Sequence, residues 1–164
     1  GVCWREALEL LREMEACGVA PNLVTYNSAM SVCRRAGRIK EVLGLMGVMP
    51  AKGLRPDVIT YNTAISACAS VGEWDTALSL MKRMAEHDDG ASGGEEEEEE
   101  EDAARHVRPD VYTYNSVLDA CAKGGQWELA LEVFRKQEAD PDPRCRPDVY
   151  TYNTLIRVLG RAGQ

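Results

Sequence analysis

The sequence predicts an all-α protein, an α-solenoid of antiparallel helix pairs. Three observations predict it. The stretch "RPDVYTYN" occurs at 108–115 and again at 146–153, with near copies "RPDVITYN" at 55–62 and "APNLVTYN" at 20–27. In each copy the Tyr opens an apolar series at i, i+3, i+4 and i+7, the spacing of one helical stripe. A Gly follows ten residues after the Asn every time, at Gly37, Gly72, Gly125 and Gly163. It is suited to end a helix in the left-handed conformation. One helix pair cannot bury both of its faces, whereas stacked pairs can.

Each unit is read in order. Residues 1–22 are the second half of a truncated unit, because Trp4 and Ala7 have the spacing of Trp74 and Ala77 and of Trp127 and Ala130. The next unit, 23–57, carries the stripe Tyr26, Ala29, Met30, Cys33 and then Ile39 and Val42. The third, 58–110, repeats it with Tyr61, Ala64, Ile65, Cys68 and then Trp74, Ala77, Leu78, Met81. The fourth, 111–148, has Tyr114, Val117, Leu118, Cys121 and Trp127, Ala130, Leu131, Phe134. The first helix of a truncated unit closes the chain at 149–164, with Tyr152, Leu155, Ile156 and Leu159. The uninterrupted period is 35 residues, with insertions of 18 and 3 in the second and third full units. Pro of each "RPD" ends the second helix.

Composition narrows the function classes. The net charge of −8 is local: residues 88–102 hold ten acids and no Lys or Arg, and 27 acids less these ten leaves 17 against 19 bases. The body is mildly basic and compatible with a polyanionic partner. Cys33, Cys68 and Cys121 occupy one place in successive units, so they serve the unit's core, in reduced form, and not bridges between units. There is no CxxC pair for zinc and no apolar run long enough for a membrane span. The N-terminus lacks a secretory pattern and starts mid-unit, as a fragment of a longer array would. Paired catalytic carboxylates, a Ser–His arrangement and a glycine-rich phosphate loop are all missing, so the expectation is a non-enzymatic binding module without cofactor or metal.

The "VxTYNxxI" pattern, the small residue or Cys, the Trp or aliphatic, "A-L" and "RPD" together resemble the pentatricopeptide repeat family, plain 35-residue type. The likeness spans nearly the whole chain outside the acidic insertion. It implies a right-handed superhelix that binds single-stranded RNA, one base per repeat. The implied base readers are Asn27 with Asp57, Asn62 with Asp110, and Asn115 with Asp148, a combination that favours uracil. Asn22 and Asn153 would be readers whose partners lie beyond the ends. The Asn amide would offer a donor and an acceptor side by side, oriented by the Asp. Val24, Ile59, Tyr112 and Tyr150 would sandwich the bases, the two tyrosines by stacking; partly exposed surface tyrosines are the plainer reading. Arg35, Lys123 and Arg161 are positioned for phosphates or for a solvated polar face. The resemblance further implies a mitochondrion or plastid setting, U-rich RNA, and other organellar RNA-processing proteins as partners.

Two rival readings stay open. The array could be a scaffold that takes a peptide, or the RNA-guiding arm of an enzyme whose catalytic part lies outside this chain. Capping is the structural alternative for the repeated Asp, although the Thr of each "TYN" offers the same service. The acidic insertion, at about 88–105, reads as a disordered tolerated loop or as an internal mimic of RNA. His87 and His106 flank it without a metal-ligand spacing.

Overall fold

The computed structural model describes residues 3–89 and 107–163. Eight α-helices make up the described fold: α1 (Trp4–Ala16), α2 (Leu23–Arg35), α3 (Ile39–Val48), α4 (Val58–Val71), α5 (Trp74–Asp89), α6 (Val111–Lys123), α7 (Trp127–Ala139) and α8 (Val149–Ala162). Most of the acidic insertion lies outside the described residues, although α5 runs on to Asp89.

The start of each even-numbered helix from α2 to α8 follows from one device. Asn22 caps α2, Asp57 caps α4, Asp110 caps α6 and Asp148 caps α8. Each side chain accepts the backbone N–H of the Thr three residues on, and that Thr hydroxyl accepts the N–H of the cap residue. Such reciprocal boxes satisfy two of the helix's orphan donors. This corrects the expectation that Thr could stand in for Asp as cap: the two hold different corners of one box.

The helices stop where glycine permits. Gly72 ends α4 with φ 81° and α8 ends at Gly163 with φ 72°. Gly124 is needed for a different reason: a Cβ there would collide with the indole of Trp74 in the preceding repeat.

Packing is layered. The helices α2, α4, α6 and α8 lie side by side in chain order. The helices α3, α5 and α7 each sit against their own partner and the next first helix, without extensive pairing among themselves. The second layer is therefore splayed, and the first helices line the shorter, inner arc of a solenoid. The core between the layers uses the predicted stripes: Tyr26, Tyr61, Tyr114, Met30, Ile65, Leu118, Cys33, Cys68 and Cys121 are all buried. Val42, Ala77 and Ala130 face them with no exposed surface (0% each). Met84 and Gln137, outside the predicted stripes, are also buried.

The last stripe departs from the expectation. Leu155 is buried, yet Tyr152 and Ile156 are exposed, at 50% and 68%. Phe134 meets the Tyr152 ring edge-on at 5.6 Å, and no described helix covers the far side of α8. The short insertion between α7 and α8 folds as a 3-10 turn, Pro143–Cys145, and buries Cys145 with its Sγ 3.1 Å from the Pro109 carbonyl. No disulfide joins the cysteines: Cys33, Cys68, Cys121 and Cys145 are buried, Cys3 and Cys17 exposed.

Candidate nucleic-acid interface

The Asn of each of the first three "TYN" copies sits one residue past a buried Tyr, on the inner side of its helix. There it meets the capping box of the next repeat. Asn27 Nδ2 donates to Asp57 Oδ1 at 3.1 Å, and Asn27 Oδ1 accepts from the Thr60 hydroxyl at 2.7 Å. Asn62 does the same with Asp110 (3.3 Å) and Thr113 (2.6 Å). Asn115 repeats it with Asp148 (3.1 Å) and Thr151 (2.7 Å). The three threonines are fully buried (0% each), and Asn62 and Asn115 nearly so, at 9% and 8%.

The amide orientation is fixed by chemistry. A carboxylate only accepts, so the amide nitrogen must face the Asp and the amide oxygen the Thr. Thr60 Oγ1 lies 2.7 Å from Asp57 Oδ1, and the corresponding separation is 2.9 Å in the other two boxes. Partners that close together reach both amide atoms only along the edge where N–H and C=O point the same way. The flanking N–H and flanking lone pair diverge and could not meet them both.

The Asn row forms the polar seam between repeats, so capping and inter-repeat bonding account for part of its recurrence. One expectation changes. The side-by-side donor and acceptor of the amide face the neighbouring repeat, not the groove. Each Asn keeps one flanking N–H and one flanking lone pair, and each Asp keeps carboxylate lone pairs. The Asp orients the amide by direct contact. Asp148 titrates below the usual carboxylate range, chiefly because it accepts the Thr151 backbone N–H, with the Asn115 bond adding to this.

The remaining candidates fall into three groups. Val24, Ile59, Tyr112 and Tyr150 project from the first turns of α2, α4, α6 and α8 and are half or more exposed. Arg35, Lys123 and Arg161 are exposed as well. Asn22 serves as the cap of α2, and Asn153 lies exposed on α8 with no Asp after it in the chain.

A groove of about 500 Å3 along the inner face collects Tyr112, Tyr150, Asn115, Asp148 and Lys123. It also brings in Arg34, Ser66 and Asp119, which the sequence reading did not single out, while Arg35 is not among its lining residues. The helical period gives the reason: seven residues past Asn27 returns to within about 20° of the same face, whereas eight residues turns about 80° off it. Lys123 reaches the groove across helices, its Nζ donating to the Ala69 carbonyl at 2.9 Å. The Tyr112 hydroxyl lies 3.4 Å from Ser66 Oγ, linking α6 to α4.

The chain was compared with known proteins. A model described as "PPR repeat family" matches residues 21–70 and 109–161, more than half of the chain. One described as "PPR repeat" matches 59–88, and one described as "Pentatricopeptide repeat domain" matches 4–35. No curated protein matches the chain significantly. Among solved structures, the pentatricopeptide repeat protein PPR10 in complex with an 18-nucleotide psaJ RNA element is 27% identical with a TM-score of 0.67, over 88% of this chain and 18% of that one. A cysteine-to-serine variant of PPR10 with the same RNA element is 31% identical with a TM-score of 0.63, over 98% of this chain and 24% of that one. PPR10 from maize, at 24% identity and a TM-score of 0.68 over 98% of this chain and 25% of that one, shares the fold. The chain thus spans a quarter or less of these structures' length. With its helix pairs stacked into a solenoid and these repeat models matching along it, the chain belongs to the pentatricopeptide repeat family.

Proposed function

We propose that this chain binds single-stranded RNA along its inner groove, one base per repeat, and favours uracil at three successive places. The observation that carries the reading is the identical Asn–Asp–Thr seam at three consecutive joints, each beside an exposed residue one turn earlier. The PPR10 structures solved with RNA support the partner class. A base enters between neighbouring exposed residues: Val24 and Ile59, then Ile59 and Tyr112, then Tyr112 and Tyr150. The flanking N–H of the Asn donates to a base carbonyl, while the adjacent Asp carboxylate accepts a base N–H directly or through water. Uracil offers that carbonyl next to its N3–H. Guanine offers the same pattern on a larger ring, so the depth of the slot decides between them. Arg34 and Lys123 line the groove and are the cations that phosphates would draw on there.

The chain acts as a binding scaffold and needs no cofactor. Membership of the family supports a place in a mitochondrion or plastid, in RNA processing, stability, editing or translation, with other RNA-processing proteins as partners. Fluorescence anisotropy with labelled eight-nucleotide RNAs, uniform except at three central positions, tests the reading. Tightest binding is expected for three central uracils. Equal affinity for all sequences would leave only a non-selective polyanion groove.

A further inference from the structure

The inner groove contains a carboxylate that the reading above leaves without a role. Asp119 lies four residues past Asn115 on α6 and four before Lys123, about 40° around the helix from each, so it neighbours both. Its Oδ1 accepts from Arg157 Nη2 of α8 at 2.6 Å, and its Oδ2 is 3.8 Å from Lys123 Nζ. The Asp119 side chain is 20% exposed, and the Arg157 and Lys123 side chains 48% and 44%. Tyr150 lines the same groove. That phenol is pushed up mainly by burial, and the charge of Asp119 and a hydrogen bond to it add to the shift, while Arg157 opposes it. At this place in the groove one acid therefore meets two cations and a wall of the third base site. Its counterparts one and two repeats earlier, Ser66 and Ser31, carry no charge.

We propose that Asp119 is a charge restraint on the third base site: it holds Arg157 and Lys123 along the helix face and off the path of an RNA backbone. The proposal rests on the RNA-binding reading and concerns its regulation. A phosphate entering this site must compete with the Asp119 carboxylate for both cations. Non-selective polyanions thus gain little here, whereas an RNA already seated by its bases gains a phosphate contact when Arg157 lets go. A charge-assisted pair of this kind fixes geometry as well as charge, so Arg157 also links α6 to α8 across the groove.

The test compares wild type, Asp119→Asn, Arg157→Gln, the double variant, and Glu128→Gln. Glu128 is exposed on the second layer of helices, so its variant carries the same change in net charge without touching the groove. Affinity for the U-rich RNA is read across a salt series. Asp119→Asn is expected to bind at least three-fold more tightly than Glu128→Gln at low salt. Its dependence of log affinity on log salt should steepen by about 0.7, the value for one added single-strand phosphate contact. Arg157→Gln should cancel most of that gain in the double variant. Unchanged or weaker binding by Asp119→Asn, or a gain that survives in the double variant, overturns the restraint. A heparin column supplies a second readout that needs no RNA selectivity. Later elution of Asp119→Asn than of Glu128→Gln supports the restraint even if the wild type ranks all RNAs alike, and equal elution contradicts it.

Discussion

Asn62 on α4 donates its amide to Asp110 at the start of α6, 48 residues further along the chain. Asn27 and Asp57, 30 residues apart, make the same contact, as do Asn115 and Asp148, 33 apart. The acidic insertion falls between Asn62 and Asp110 and leaves their seam like the others. A loop of that kind adds only slowly to closure entropy once both ends are anchored. The seam, more than the spacing in sequence, defines the joint between repeats.

The seam should be measurable as stability. Asn62→Ala removes both bonds to the next capping box, leaving the buried Thr113 hydroxyl only its partners inside the box and the Asp110 carboxylate without its amide donor. Hydrogen bonds to charged groups contribute about 1.5–3 kcal/mol, so urea unfolding should show a loss of roughly that size. Combined with Asp110→Ala, the cost should be clearly less than the sum of the single losses, because the two share one interaction. Additive losses would mean that the two side chains act separately.

The third seam adds an acid-dependent component. The folded pKa of Asp148 is depressed, so the stabilisation it supplies is present above the ordinary carboxylate pKa and is lost as pH falls toward its lower folded value. Asp148→Asn keeps a capping side chain, as Asn22 does on α2, but no longer titrates. Its stability should therefore decline less than wild type's as pH falls below about 4. Parallel acid limbs for the two proteins would count against this assignment.

The cysteines should divide by burial. Burial raises the Cys68 and Cys121 thiols to about 11 and that of Cys145 to about 12, and Cys33 is also pushed up. Their thiolates are scarce at neutral pH. A thiol reagent at pH 8 should label Cys3 and Cys17 quickly, with the other four reacting only on unfolding. Mass spectrometry of denatured, unreduced protein should find six free thiols. The raised values also predict falling stability as pH climbs from about 9 toward those folded values, since unfolding frees the thiols to ionise.

Gly124→Ala tests the contact between repeats on the other side of the helices. The added Cβ meets the Trp74 indole, which must move or push α6 away from α5. Overpacking of this kind typically costs about 1–3 kcal/mol. Gly44→Ala, at a helical position on α3 with nothing near the added methyl, should be neutral or stabilising. A similar Tm for both variants would show that the Trp74 side chain yields without cost.

The solenoid was legible because its determinants are local. A stripe of apolar residues, a glycine at the turn and a capping residue three before Thr each act within a few residues, and all recur. The row Val24, Ile59, Tyr112 and Tyr150 came from the family resemblance and not from the stripe, since the off-stripe threonines beside it, Thr60, Thr113 and Thr151, are fully buried. What the sequence did not reveal depends on distances between repeats. Whether the Asn amide faces the groove or the next capping box turns on where Thr60, Thr113 and Thr151 come to rest. The grip of Asp119 on Arg157 spans 38 residues and has no counterpart in the other repeats to announce it. Arg34 was passed over for Arg35 because the row was drawn through Lys123, which gains the groove by reaching across to α4 rather than by its position on the helix. Exposure of Tyr152 and Ile156 likewise reflects packing on α8, not the stripe itself.

The most direct test concerns the middle joint, Asn62 with Asp110. Wild type and Asn62→Thr are each titrated against RNAs that differ only at the middle base, U-U-U and U-G-U, with circular dichroism confirming that the variant is folded under the conditions used. Threonine is shorter than asparagine, admits the larger purine, and leaves Asp110 to accept from guanine N–H groups. Each hydrogen-bonded discrimination is worth ~1 kcal/mol, several-fold in affinity. Wild type is expected to prefer U-U-U, and Asn62→Thr to reverse the order. If both proteins rank the two RNAs alike, the repeated Asn–Asp joint is a structural seam alone and the base-reading account is wrong.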